Sequence, residues 1–286
     1  MEQKKGLLLI FAASVLFSLG GLLIKVIPWQ ALTINSWRCG ISVCMLLLFA
    51  KLTHHKLKLT PGVWAGAAAM CLTVSSYALA NKLTTAANTI LIQFTCPVFV
   101  ILFLWAFFHE KPKKLDIITC VVVFGGIACF FLDGLSAGNL LGNFVALISG
   151  IGYAWVFLMN KIPGGDPLYS TILGHAMCVL IGLPSVARET EYSGQIVLCA
   201  VLMGVFQLGL AYICFTTGIR TAPPVSASLV SGIEPILNPV LVAVVLGEMI
   251  SPLSLVGGAI VFLSIMAYNV LSARQEKQAE RKEATV

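Results

Sequence analysis

The sequence predicts an all-α, polytopic membrane protein whose ten transmembrane helices form two inverted five-helix repeats. Composition, the spacing of apolar runs and an internal repeat carry that prediction. Of 286 residues, 58% are hydrophobic and 10% charged, with a mean hydropathy of +0.95. Soluble domains carry about 25% charged residues, so this chain has too little polar surface to cover a soluble globule. The bilayer must solvate most of its side chains. A spanning helix needs about 20 apolar residues, and short loops leave almost nothing for a soluble catalytic head.

Apolar runs bounded by charge and turn residues fall at 7–27, 31–50, 62–80, 86–108, 115–132, 140–160, 168–186, 194–218, 222–246 and 252–271. Lys4 and Lys5 precede the first run as they would in a signal peptide. The stretch Leu7 to Ile27 is too long for a signal h-region, which predicts an uncleaved first helix. The charged tail 273–286 reads as a frayed, solvated helix or a disordered segment.

The net charge of +6 is distributed as a topology signal. With the N-terminus inside, fourteen of the eighteen Lys and Arg residues fall on the cytoplasmic side. Only Lys25, Lys82 and Arg188 fall outside, and Arg38 lies within a span. The positive-inside rule then places both termini in the cytoplasm, and nucleic acid is not an expected partner. Nine cysteines sit singly in apolar runs with no C-x-x-C pair, so neither a zinc nor a redox site is written there.

Sliding the sequence by 138 lays Lys82 on Arg220, Pro97 on Pro235 and Glu110 on Glu248. A shift of 136 lays Gly6 on Gly142, Phe17 on Tyr153 and Lys25 on Lys161. Five spans per half force opposite orientations, the arrangement secondary transporters use around a midplane site. The expected division is 1–136, 137–272 and the tail.

The motifs agree. An Arg early in the second span (Ser36-Trp37-Arg38) and a proline-bearing fourth span ending at Glu110 are matched by a ninth span. That span runs through Glu234-Pro235 to Leu246-Gly247-Glu248, with Gly257-Gly258 following. This pattern resembles the EamA-type branch of the drug/metabolite transporter superfamily over residues 6 to 271. The first half departs from it at His109, where the family has Gly. The resemblance implies a secondary transporter, usually an exporter of amino acids or related metabolites.

Ionisable groups within spans cost about 2.5–3.5 kcal/mol on insertion scales and so need a partner or a wet cavity. Glu234, midway along the ninth span, can bind a substrate ammonium or take up a coupled proton. Equally, a neutral Glu can satisfy the carbonyl that Pro235 frees. His175 is either a proton relay or a packing residue, and it shares the expected coupling role with Glu234. Arg38 reads as structural, snorkelling to headgroups or pairing with a carboxylate. Tyr77, Asn88, Gln93, Tyr153, Trp155, Gln207, Tyr212, Ser231 and Asn238 complete the expected solute-binding set. The third span adds Ser75 and Ser76, and the ninth adds Ser226 and Ser228. Such polar stripes line a path or hold helices together. Tyr153 and Trp155 offer an aromatic face to a cation or ring. The glycines at 20–21, 125–126 and 257–258 are expected to admit close helix approach. Pro97 and Pro235 are the expected hinges.

No P-loop sequence occurs, so the expected energy source is a gradient, of protons or of the solute. No cofactor is expected. The histidines at 54, 55 and 109 lack metalloprotease spacing, which speaks against an enzyme. The reading is a carrier for a small polar organic solute in a bacterial-type inner membrane, with lipids as its other partner. Uptake of a metabolite or organic cation on the same scaffold, or a lipid-headgroup flippase, are the alternatives.

Overall fold

The backbone runs as helical rods whose ends are set by local chemistry. The computed structural model describes residues 2–56, 58–137, 139–222, 227, 230–247 and 251–283. The first rod comprises α1 (Glu2–Phe17) and α2 (Leu19–Val26), and the second and third are α3 (Ala31–Leu52) and α4 (Pro61–Leu83). The fourth is broken into α5 (Ala86–Gln93) and α6 (Cys96–Phe108). Then come α7 (Lys114–Ala137), α8 (Leu140–Phe157) and α9 (Pro167–Val186). The eighth rod joins α10 (Gly194–Leu202) to α11 (Ala211–Gly218) through a π-helical segment, Met203–Leu210. The ninth has a 3₁₀ turn, Ser231–Ile233, followed by α12 (Glu234–Leu246), and α13 (Pro252–Glu283) is the tenth. Ser226, Ser228 and Glu248 lie outside the described residues. The last helix continues unbroken past residue 273, so the tail begins as helix.

Helix starts carry the expected caps. Thr60, Thr85, Asp166 and Ser193 each accept a hydrogen bond from a backbone N–H in the first turn of the following helix. Pro61 and Pro167 stand at first-turn positions, where a missing N–H costs nothing. At the matching C-terminal ends His109 and Gly247 both take the left-handed conformation, with φ of 56° and 66°. The two are 138 residues apart, so the departure at His109 leaves the helix stop unchanged.

Seven rods among the described residues are long and apolar enough to cross a membrane; Ser231–Leu246 and Pro252–Tyr268 are shorter apolar helices. The surface is apolar, with Val244 80% and Leu8 68% exposed, while Asn35, Ser42, Asn143 and Ser149 are buried. That inversion of the soluble pattern identifies lipid as the solvent of the outer faces. The chain is a multi-pass membrane protein.

Packing couples the two halves. The third rod lies against the sixth and seventh, and correspondingly the eighth lies against the first and second. The second also packs on the seventh and the fifth on the tenth. Exchanging each rod in these contacts with the one five places away returns the same contacts. The register agrees at atomic detail. A Cβ placed on Gly6 would meet the Thr221 hydroxyl and lie 2.9 Å from the Gly218 carbonyl, while one on Gly142 would lie 2.7 Å from Thr84 Cβ and 2.9 Å from the Leu83 carbonyl. Thr221 and Ala222 correspond to Leu83 and Thr84 under the 138-residue shift. Gly20, Gly21, Gly126 and Gly258 likewise sit against neighbouring rods, whereas Gly125 faces open space.

Candidate functional site

The breaks in the fourth and ninth rods overlap in register, residues 94–95 and 231–233, and they flank the centre of the bundle. Pro97 and Pro235 follow these breaks at first-turn positions of α6 and α12. They mark where the helices restart rather than bending a continuous helix. Gln93 ends α5 and Glu234 begins α12, so the interruptions deliver one amide and one carboxylate to the middle of the protein.

Both line a central cavity together with Phe17, Arg38, Thr73, Val74, Tyr77, Tyr153, Gln207, Leu208 and Tyr212. Its free space is small, about 30 Å³ for the centre of a water molecule, room for about two waters. An amino-acid-sized solute would have to push these side chains apart. Gln93 is oriented by its donation to Ser149 Oγ at 2.6 Å, and Ser149 in turn donates to the Thr73 carbonyl at 2.9 Å.

Arg38 overturns the snorkelling expectation. It is 1% exposed and turned inward. Its Nε and Nη2 donate to Asn35 Oδ1 at 3.1 and 2.9 Å, Nη2 also donates to the Val74 carbonyl at 3.0 Å, and Nη1 reaches Gln207 Oε1 at 3.5 Å. All are neutral acceptors. Among the described residues the Glu234 carboxylate takes no hydrogen bond and no ion pair, from Arg38 or from any other group. One guanidinium and one carboxyl group therefore face one buried space with no bond between them. Each is costly to bury alone, so the site is poised for a polar guest.

Of the expected solute-binding residues, Glu234, Tyr77, Gln93, Tyr153, Gln207 and Tyr212 converge on the cavity. The other five do not line it. His175 lies behind Tyr212, its ring edge-on at 4.9 Å, with Nδ1 3.0 Å from Ser42 Oγ. Its buried Nε2 has no partner among the described residues. Asn238 donates to the Tyr77 hydroxyl at 3.3 Å, supporting the wall from outside. Ser231 donates to the Ala227 carbonyl. Asn88 is buried in the first turn of α5. Trp155 stacks on Phe103 with ring centroids 4.6 Å apart, which spends its aromatic face on packing.

Arg38, Phe17, Thr73, Val74 and Leu208 are the lining residues absent from the expected set. The three-residue spacing of Asn35 and Arg38, which puts them on one helix face, was the available signal for a held, inward guanidinium. The π-helical segment had none beyond Gly204 and Gly209, which lie tightly against Ile41 and Met45 of α3.

On the side toward the chain termini, Phe17, Tyr153, Phe157, Tyr212 and Phe215 form an aromatic cluster with centroids 4.8 to 6.2 Å apart. Beyond it, ion pairs tie the loops. Lys161 meets Glu110, while Asp166 lies 2.6 Å from His55 and 3.5 Å from Arg220. Among the described residues no group of three or more His, Cys, Asp or Glu is arranged to hold a metal ion.

The EamA-like transporter family model matches the chain twice, over residues 4–132 and 140–270. An uncharacterized transporter of Clostridium kluyveri is 25% identical, over 92% of each chain. The uncharacterized transporter YwfM of Bacillus subtilis is 22% identical, over 84% of this chain and 83% of its own. A protein of known crystal structure superposes with a TM-score of 0.70 at 17% identity, covering 95% of this chain and 99% of that one. At that identity the likeness speaks for the fold alone.

Proposed function

We propose that this chain, which belongs to the EamA-like transporter family, exports a small polar organic solute, an amino acid or related metabolite, by alternating access about its central cavity. The observation that supports this reading is that the Arg38 guanidinium and the Glu234 carboxyl group line one buried space without bonding to each other. A lipid-facing scaffold gains nothing from burying two such groups, whereas the carboxylate and the ammonium of a zwitterionic solute supply a partner for each.

The halves 1–136 and 137–272 are inverted copies that rock against one another. The exchange symmetry of the packing supports this, as does the odd number of spans per half, which reverses the second copy. The matched interruptions ahead of Pro97 and Pro235 supply the hinges. Glu234 carries the coupled proton, or the solute gradient itself drives the cycle. The lysine and arginine distribution places both termini on the cytoplasmic face of an inner membrane.

The test is counterflow in proteoliposomes against the twenty standard amino acids, repeated with proton gradients of either sign. Saturable exchange of at least one amino acid, with net flux set by the gradient, is the expected result. Absence of exchange for all twenty would remove the reading, and net flux only toward the face bearing the termini would make the carrier an importer.

A further inference from the structure

We propose that Arg38 is the carboxylate-binding group of the central cavity and that Gln207 is a place-holder that the solute's carboxylate displaces. This rests on the reading of the cavity as the solute site.

The argument begins with the donors of Arg38. A guanidinium has five N–H groups and accepts nothing. Three of them, on Nε and Nη2, are committed at 2.9 to 3.1 Å to Asn35 Oδ1 and the Val74 carbonyl. These bonds fix the plane and leave Nη1 as the free prong. Its contact to Gln207 Oε1 is 3.5 Å, at the outer limit for a hydrogen bond. A carboxylate oxygen on the same prong would form a charge-assisted bond of about 2.7–2.9 Å, roughly twice as strong as a neutral one. On this prong a carboxylate is a stronger partner than the Gln207 amide.

The backbone at Gln207 is built differently from its repeat partner. Met203–Leu210 is π-helical, while residues 65–72, 138 positions earlier, are ordinary α-helix within α4. π-Helical segments inside α-helices occur frequently at functional sites. Here the segment carries the amide that touches Arg38. The segment also lies directly against α3, which carries Arg38, with a Cβ on Gly204 falling 2.5 Å from Ile41 Cβ. Displacing Gln207 thus acts on the contact between the second and eighth rods, one of the principal contacts between the halves. The loaded and empty carriers differ at that contact.

The test uses the purified full-length carrier, with the twenty L-amino acids and the carboxamide of each as probes and thermal stabilisation as the readout. At least one acid should stabilise the wild type at concentrations tenfold or more below its carboxamide. Gln207→Ala should raise affinity for that acid several-fold, because a competitor for Nη1 has been removed. Arg38→Gln should abolish the preference between acid and amide. Equal stabilisation by acids and carboxamides overturns the proposal and leaves the cavity reading intact, as does weaker binding of the acid to Gln207→Ala. Stabilisation by neither series overturns both. Since the Gln207→Ala arm keeps the guanidinium and its bonds to Asn35 and Val74, the outcome stands even if Arg38→Gln does not fold.

Discussion

At one end of the bundle Lys161 meets Glu110, and Arg220 lies beside Asp166 and His55. At the other end Lys25 and Lys82 hold the matching repeat positions, and there they donate to the backbone carbonyls of Thr84 and Ile27 at 2.9 and 2.6 Å. Those two carbonyls belong to the C-caps of α4 and α2. The first end is thus fastened by side-chain charge across solvent-reached loops. The second is fastened by cations on helix C-termini, where the helix dipole favours them. The same repeated residues close two doors by different chemistry, so salt and mutation should act on them unequally.

Glu234 lies between the two ends, and its replacement gives the largest expected effect. Glu234→Gln should reduce gradient-driven uptake to background while exchange is partly retained. Full gradient-driven transport by that variant would end its coupling role. Next come the matched glycines. Gly6→Ala and Gly142→Ala each force a methyl against the neighbouring rod, and each should destabilise by about 1–3 kcal/mol, read as thermal unfolding in detergent. A large effect at one and none at the other would break the repeat register.

A smaller effect sharpens the contrast between ends. Asp166→Asn keeps an N-cap for α9 but removes the charge facing His55 and Arg220. It should cost about 1 kcal/mol or less and increase labelling of introduced cysteines near Lys161, with no change near Lys82. Molar salt, with a screening length of about 3 Å, should imitate the variant at that end alone. Equal opening of both ends in salt would contradict the contrast. The smallest effect concerns His109. His109→Gly removes a left-handed non-glycine residue and should stabilise by about 1 kcal/mol or less, seen as a slight rise in unfolding temperature. Destabilisation would show that the imidazole makes a contact that matters.

The rods were readable from the residues because lipid imposes a length and a polarity on every span. Gly6 and Gly142 aligned in the sequence for the same reason they align in space: each lets one rod approach the same part of another. The cavity was half readable. Glu234, Gln93 and the tyrosines stand out as polar groups in apolar runs, and the broken rods bring them together. His175, Trp155 and Asn238 stand out equally, yet they pack one layer behind or beside the cavity, because a polar type reveals nothing about which face of a rod turns inward. Arg38 was misread for a related reason. Its long chain permits snorkelling, and only the three-dimensional positions of Asn35 and the Val74 carbonyl decide that it turns inward. The π-helical aim of Gln207 depends on packing of the eighth rod against α3, which local sequence does not encode.

Accessibility of the cavity wall tests the account most directly. Thr73→Cys, in a variant whose nine native cysteines are replaced, should react with an impermeant thiol reagent from one membrane face at a time. The reactive face should switch when the imposed gradient is reversed, and a transported amino acid should protect. Reaction from a single face under every gradient, or from neither, would contradict alternation about this cavity.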